Sequence, residues 1–98
     1  MDRKQAIKLV KRYKKEISRL IKPTAVYLYG SYSRDEARDD SDIDVAVVIN
    51  GREADWLSLS SQLWRAGWRV SSLIEPVLID ETRPSPLYDT VTRDGIAI

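Results

Sequence analysis

Residues 42–49 read DIDVAVVI, two aspartates one residue apart at the head of a run that is otherwise wholly apolar. On a strand, side chains alternate faces, so Asp42 and Asp44 point one way while Ile43, Val45 and Val47 point the other. The pattern demands a strand with a core on one side and a charged edge at one end. The upstream stretch TAVYLYG, residues 24–30, is rich in β-formers and stops at a glycine, which makes it a second strand. Between the two lies SYSRDEARDD, short and charged. That stretch suits a helical turn or two beginning at Ser31, a good N-cap with acids close behind.

The rest of the chain alternates in the same way. Ala6, Ile7, Val10, Tyr13, Ile17, Leu20 and Ile21 are spaced three and four apart, predicting an amphipathic helix from Ala6 to Ile21 that Pro23 ends. Residues 53–66 predict a helix with Trp56, Leu59, Leu63 and Ala66 inward and Gly67 at its C-terminal end. Ser71–Asp80 reads as a third strand, Leu87–Thr92 as a short helix, and Ile96–Ile98 as a last strand after a turn at Asp94-Gly95. Residues 1–98 then form one domain, α/β or α+β, with helices on a small mixed sheet.

Ninety-eight residues with 43% hydrophobic content hold one core and leave no room for separate catalytic and substrate domains. Any large substrate must bring its own surface. Cysteine and histidine are both absent, which excludes thiol chemistry, disulfides, Cys/His zinc sites and imidazole catalysis. Carboxylates, hydroxyls, Lys/Arg and bound metal remain. No apolar stretch is long enough for a membrane span and the N-terminus lacks a secretory core, so a cytoplasmic protein with no membrane partner is expected. Residues 1–22 carry nine Lys/Arg against two acids, while residues 23–98 carry seven against thirteen. That basic segment suits RNA, a polyphosphate or an acidic protein as partner, and equally the solvated face of a surface helix.

Two carboxylates side by side raise each other's pKa unless a cation or solvent intervenes. A hard divalent metal resolves the repulsion, and Mg²⁺ takes one or two protein carboxylates plus phosphate oxygens. Asp-x-Asp also occurs in solvated turns, so the pair alone leaves both readings open. Gly30-Ser31 adds a phosphate cradle, because a glycine lets phosphate approach the backbone and a serine hydroxyl supplies a donor. An ordinary turn with Ser31 as N-cap explains the same two residues. Glu75, inside LIEPVLI, is costly to bury unpaired and could join Asp42 and Asp44 as a third metal ligand. Two metals held about 3.5–4 Å apart by such acids assist an in-line displacement. Pro76 beside it lacks a ladder donor, which equally makes Glu75 an edge-strand carboxylate facing water. A calcium loop starting at Asp40 fails, since Val45 and Gly51 stand where glycine and glutamate are needed. A serine-hydrolase elbow fails for want of G-x-S-x-G and of any histidine.

Gly30-Ser31, ten residues, then Asp42-Ile43-Asp44 resembles the signature of the minimal nucleotidyltransferases, a branch of the DNA polymerase β-like superfamily. The basic N-terminal helix, the strand before Gly30, the later acid-bearing strand and the final DGIAI follow that family's plan. The resemblance implies a nucleotidyltransferase fold, dependence on Mg²⁺ as two ions, and transfer of AMP from ATP to a hydroxyl. It implies that Asp42, Asp44 and Glu75 are catalytic and carry the metals, with Glu75 standing where the family more often has aspartate. Gly30, Ser31, Arg34 and Ser41 are the nucleotide-binding set it implies, Arg34 near phosphate. Family members are commonly antitoxins that silence a HEPN-domain ribonuclease toxin by adding AMP to one of its tyrosines. An RNA 3′ end or a small molecule as acceptor, and an antitoxin acting by binding alone, stand as the other expectations.

Overall fold

The computed structural model describes residues 1–51 and 55–98. Seven elements follow in order: α1 (Arg3–Ile17), β1 (Ala25–Tyr29), β2 (Ile43–Ile49), α2 (Trp56–Val70), β3 (Ile74–Asp80), α3 (Pro86–Asp94) and β4 (Ile96–Ala97). The strands form one mixed sheet in the order β3-β2-β1-β4. β1 runs antiparallel to β2 and β4, whereas β2 and β3 are parallel and joined through α2. This is the expected α+β architecture with helices on a small mixed sheet.

β2 is buried along both faces beyond its first residues, and the two faces belong to different cores. Ile43, Val45, Val47 and Ile49 join Val10, Tyr13 and Ile17 of α1 and Leu59, Leu63 and Ala66 of α2. Ala46 and Val48, on the other face, pack with Ile79 and with Val91 of α3. The sheet therefore has α1 and α2 on one side and α3 on the other. Tyr13 lies wholly buried between the two helices, and its hydroxyl donates to the Leu63 carbonyl at 2.9 Å. Burial pushes that phenol far above its ordinary range.

Element ends differ from the sequence reading for local reasons. α1 starts at Arg3 because Asp2 and Gln5 form a reciprocal capping box. It ends at Ile17 because the amides of Ser18 and Leu20 turn to the carbonyls three residues back, Lys15 and Ile17, in place of those four back. Ile21 still packs on the core from outside the helix, which is why its spacing looked helical. α2 is capped by Asp55, whose side chain accepts the Ser58 amide, and it runs on to Val70. The first two residues of the expected helix, 53 and 54, lie outside the described residues. Gly67 is thus inside α2: a β-carbon there would lie 3.1 Å from Ile74 Cγ2, so the glycine serves helix-to-strand packing. β3 begins at Ile74, because Ser71 closes α2 and its hydroxyl accepts the Leu73 amide in an intervening turn. α3 is longer than expected, started by Ser85 as cap with Pro86 at its first position. Among the described residues no helix is long and apolar enough to cross a membrane.

Candidate active site

The register brings the separate acids together. Tyr29 of β1 lies opposite Asp44 of β2, and Asp44 lies beside Glu75 of β3. Side chains in one cross-strand row share a face, so Tyr29, Asp44 and Glu75 stand side by side. Asp42 precedes β2 by one residue and alternates to the same face. The rows behind, such as Tyr27-Ala46-Val77, belong to the core that α3 covers. The acidic row is the open end of a face that is otherwise closed. β3 is indeed an edge strand, as Pro76 suggested, and Glu75 nonetheless sits next to Asp44.

The electrostatics follow from that crowding. Burial first, then the charge of Asp42, pushes the Asp44 carboxyl up, while Arg34 pulls the other way. Glu75 is also pushed up, by burial, by Asp42 and Asp44, and by a hydrogen bond to Asp42 that favours its protonated form. Burial, then the charges of Asp44 and Glu75, raise the Tyr29 phenol. Like charges held this close select a counter-cation. The donor set is three carboxylates with no nitrogen or sulfur, which fits a hard divalent ion of the Mg²⁺ type. Among the described residues no three acids already close into a metal cage. Adjacency on the sheet is what the fold supplies.

Gly30 closes β1 with φ +72°, and a β-carbon on it would overlap Asp44 Oδ2. Only glycine lets this turn lie against the carboxylate. The turn that follows is compact but is not a helix. The Gly30 carbonyl accepts the Arg34 amide at 3.2 Å and the Ser33 hydroxyl at 2.8 Å, while the Ser31 carbonyl accepts the Glu36 amide at 2.9 Å. Asp35 takes up φ +58° in the left-handed region, which stops helix propagation. Ser31 therefore caps no helix, and among the described residues its hydroxyl has no hydrogen-bond partner. Arg34 is half exposed and paired with Glu36 at 3.1 Å. Ser41 is tied into the connector, its hydroxyl accepting the Arg38 amide at 2.7 Å and its own amide donating to the Arg38 carbonyl. Asp39 and Asp40 are exposed, as the solvated end of the connector should be.

The sequence reading missed two residues here. Arg3 reaches across from α1 and donates to the carbonyls of Tyr32 and Ser33 at 3.0 and 2.9 Å, pinning the turn after Gly30. Nothing distinguishes it in the sequence from the other eight basic residues around it. Tyr29 was open to inference, since it lies in the strand that Gly30 ends and next to the motif, but its partner depends on register.

The chain as a whole is similar to known proteins. The family model described as polymerase beta nucleotidyltransferase matches residues 6–98. The chain belongs to that nucleotidyltransferase family. A Methanocaldococcus jannaschii protein provisionally named a protein adenylyltransferase is 28% identical over 100 residues, covering 96% of this chain and 99% of the relative. A solved structure provisionally described as a minimal nucleotidyltransferase superimposes with TM-score 0.64 at 28% identity, covering 100% of this chain and 97% of the other. A toxin–antitoxin structure with AMP-PNP superimposes with TM-score 0.54 at 25% identity, covering 99% of this chain and 72% of the other. As a nucleotidyltransferase of this family, the chain is an enzyme whose fold is the one expected from Gly-Ser and Asp-x-Asp.

Proposed function

We propose that the chain transfers AMP from ATP to a tyrosine hydroxyl of a HEPN-domain ribonuclease toxin, with Mg²⁺, and so acts as its antitoxin. One observation carries the site: Asp42, Asp44 and Glu75 share the open end of one sheet face, with Gly30 packed against Asp44. The similarity to a toxin–antitoxin structure with AMP-PNP and to a protein named as an adenylyltransferase supports a protein acceptor and an adenine nucleotide.

Asp42, Asp44 and Glu75 would hold the metal. Bound there, Mg²⁺ would neutralise the triphosphate and favour ionisation of the attacking hydroxyl. Gly30 and the free Ser31 hydroxyl border the space beside Asp44 where phosphate oxygens would lie, and Arg34 adds positive charge on the same side. The acceptor oxygen forms its bond to the α-phosphorus as the bond to the bridging oxygen breaks. Pyrophosphate leaves with the electron pair, and the phenolic proton passes to a carboxylate of the row.

The test is incubation with α-labelled ATP, Mg²⁺ and a candidate HEPN-domain toxin. Label on a tyrosine of that protein, lost in Asp42→Ala/Asp44→Ala, supports the reading. Label on RNA would move the acceptor to nucleic acid. Equal silencing by the double variant with no mass adduct would leave neutralisation by binding alone.

A further inference from the structure

α2 buries one side and leaves another strongly apolar. Leu57, Trp64 and Trp68 are 80%, 36% and 62% exposed, although leucine and tryptophan are residues a monomer normally hides. With Ser60, Ser61 and Arg65 they line a groove of about 820 Å³ along the helix. Trp64 and Trp68 meet edge to face with ring centroids 6.4 Å apart, so the ridge is continuous. Two tryptophans and a leucine at these exposures offer on the order of 400 Å² per chain, the size of the largest apolar patch on a typical monomer, which is often functional.

We propose that this ridge is the interface with a second copy of the chain, packed as antiparallel α2 helices about a two-fold axis. The spacing of the ridge is self-complementary. An axis level with the midpoint of Gln62 and Leu63 sets Leu57 opposite Trp68 and Ser61 opposite Trp64 of the second copy. Each of these pairs sets a smaller side chain against a larger one, as an isologous contact requires. The serines allow the helices to approach closely enough for both tryptophans to be covered.

Charge selects this occupant over an acidic protein or an RNA strand. The basic helix α1 lies on the opposite flank of α2, where Arg69 pairs with Glu16 at 2.9 Å. The ridge itself carries a single charge, Arg65, at its edge. A copy docked here keeps the two basic α1 helices apart, whereas an anionic partner would find almost nothing on the ridge to pair with. A stable interface takes about 800 Å² from each chain. The ridge supplies an apolar centre of about half that, with the serines, Arg65 and the helix ends as rim. α2 packs on the face of the sheet away from Asp44, so both acidic rows of such a dimer remain open.

Sedimentation equilibrium of the full chain across micromolar to submillimolar concentration tests this. The expected mass rises from the 11.2 kDa of one chain toward twice that value. Trp64→Ser/Trp68→Ser should remain monomeric throughout while binding ATP as the parent does. A parent that stays monomeric overturns the proposal, including one that instead retains an oligoadenylate or an acidic protein on this face, as does a double variant that associates as tightly as the parent. Because the chain has no cysteine, a Ser61→Cys chain, whose thiol lies close to the axis and on the same flank of both copies, can be oxidised alone. The two copies should cross-link through it, and absence of that cross-link overturns the antiparallel register.

Discussion

Gly30 and Asp44 fit together across β1 and β2 so closely that a single methyl group on the glycine would overlap the carboxylate oxygen. The glycine also holds φ +72°, where an alanine is strained. Two separate penalties thus attach to one substitution. Gly30→Ala should lower stability by about 1–3 kcal/mol. Transfer of AMP should fall by about 100-fold, since displacing Asp44 by a fraction of its own length spoils the positioning of every group that depends on it. Thermal melting and labelled-ATP turnover measure the two effects separately, and a fall in melting temperature with full turnover would show that Asp44 is not part of the site.

The carboxyls predict opposite responses to pH. Asp44 and Glu75 have raised pKa values in the fold, so the folded chain binds protons more tightly than the unfolded one. Their contribution favours folding below the ordinary carboxylate range and is lost as pH rises through the raised values. Asp80 is the reverse: its Oδ1 accepts from the Thr82 hydroxyl, the Thr82 amide and the Gly51 amide, and its pKa is lowered. Its contribution is present above the unfolded carboxylate range and disappears as pH falls through the lowered value. Asp44→Asn/Glu75→Gln should therefore melt a few degrees higher than the parent near neutral pH and no higher once the pH is below the ordinary carboxylate range. Mg²⁺ should raise the melting temperature of the parent near neutral pH and leave the double variant unmoved. Asp80→Asn should flatten the acid limb of the stability profile. A magnesium response that survives in the double variant would place the ion elsewhere.

How much of this was legible depended on whether a feature is local. Asp42 and Asp44 alternate with Ile43 and Val45, and that local pattern predicted both the strand and the charged face. Glu75 was conspicuous because a carboxylate interrupts an apolar run. What no local pattern contains is register: whether Asp44 or Ala46 lies beside Glu75 is decided by how α2 carries the chain from β2 to a parallel β3. The same holds for Arg3, whose two carbonyl partners are about thirty residues away, and for the turn after Gly30. Serine followed by acids suggests a capped helix, but the long-range hold on Tyr32 and Ser33 and the left-handed Asp35 produce an irregular turn instead.

Arg3 makes that hold testable. Its guanidinium bridges two backbone carbonyls that would otherwise rely on water. Arg3→Ala should cost about 2 kcal/mol and raise the KM for ATP by about tenfold, the equivalent of one to two kilocalories of loosened loop. Arg3→Lys should not restore it, because one ammonium group cannot span both carbonyls as the planar fork does. If lysine rescues fully, the residue acts only through its charge.

Gly67 connects packing to chemistry through its neighbour. In an isolated helix, Gly67→Ala would gain about 1 kcal/mol from propensity alone. Here the new methyl group would stand 3.1 Å from Ile74 Cγ2, tighter than a β-carbon normally tolerates. Ile74 is fully buried and β-branched, and it pairs with Ile43 in the sheet, so it has little room to turn away. Overpacking of this kind costs about 1–3 kcal/mol, which exceeds the helical gain, and the net effect should be destabilising. The strain also has a direction. Ile74 is followed immediately by Glu75, so pushing it outward shifts the third carboxylate relative to Asp44 and should lower turnover as well as stability. Ile74→Val keeps the crowding Cγ2 but removes Cδ1 on the other branch, which gives the side chain room to turn away from the new methyl group, and the Gly67→Ala/Ile74→Val pair should recover both melting temperature and turnover relative to Gly67→Ala alone. A double-mutant cycle measures the coupling directly. Additivity in both readouts would mean that the two residues do not press on each other and that α2 does not position Glu75.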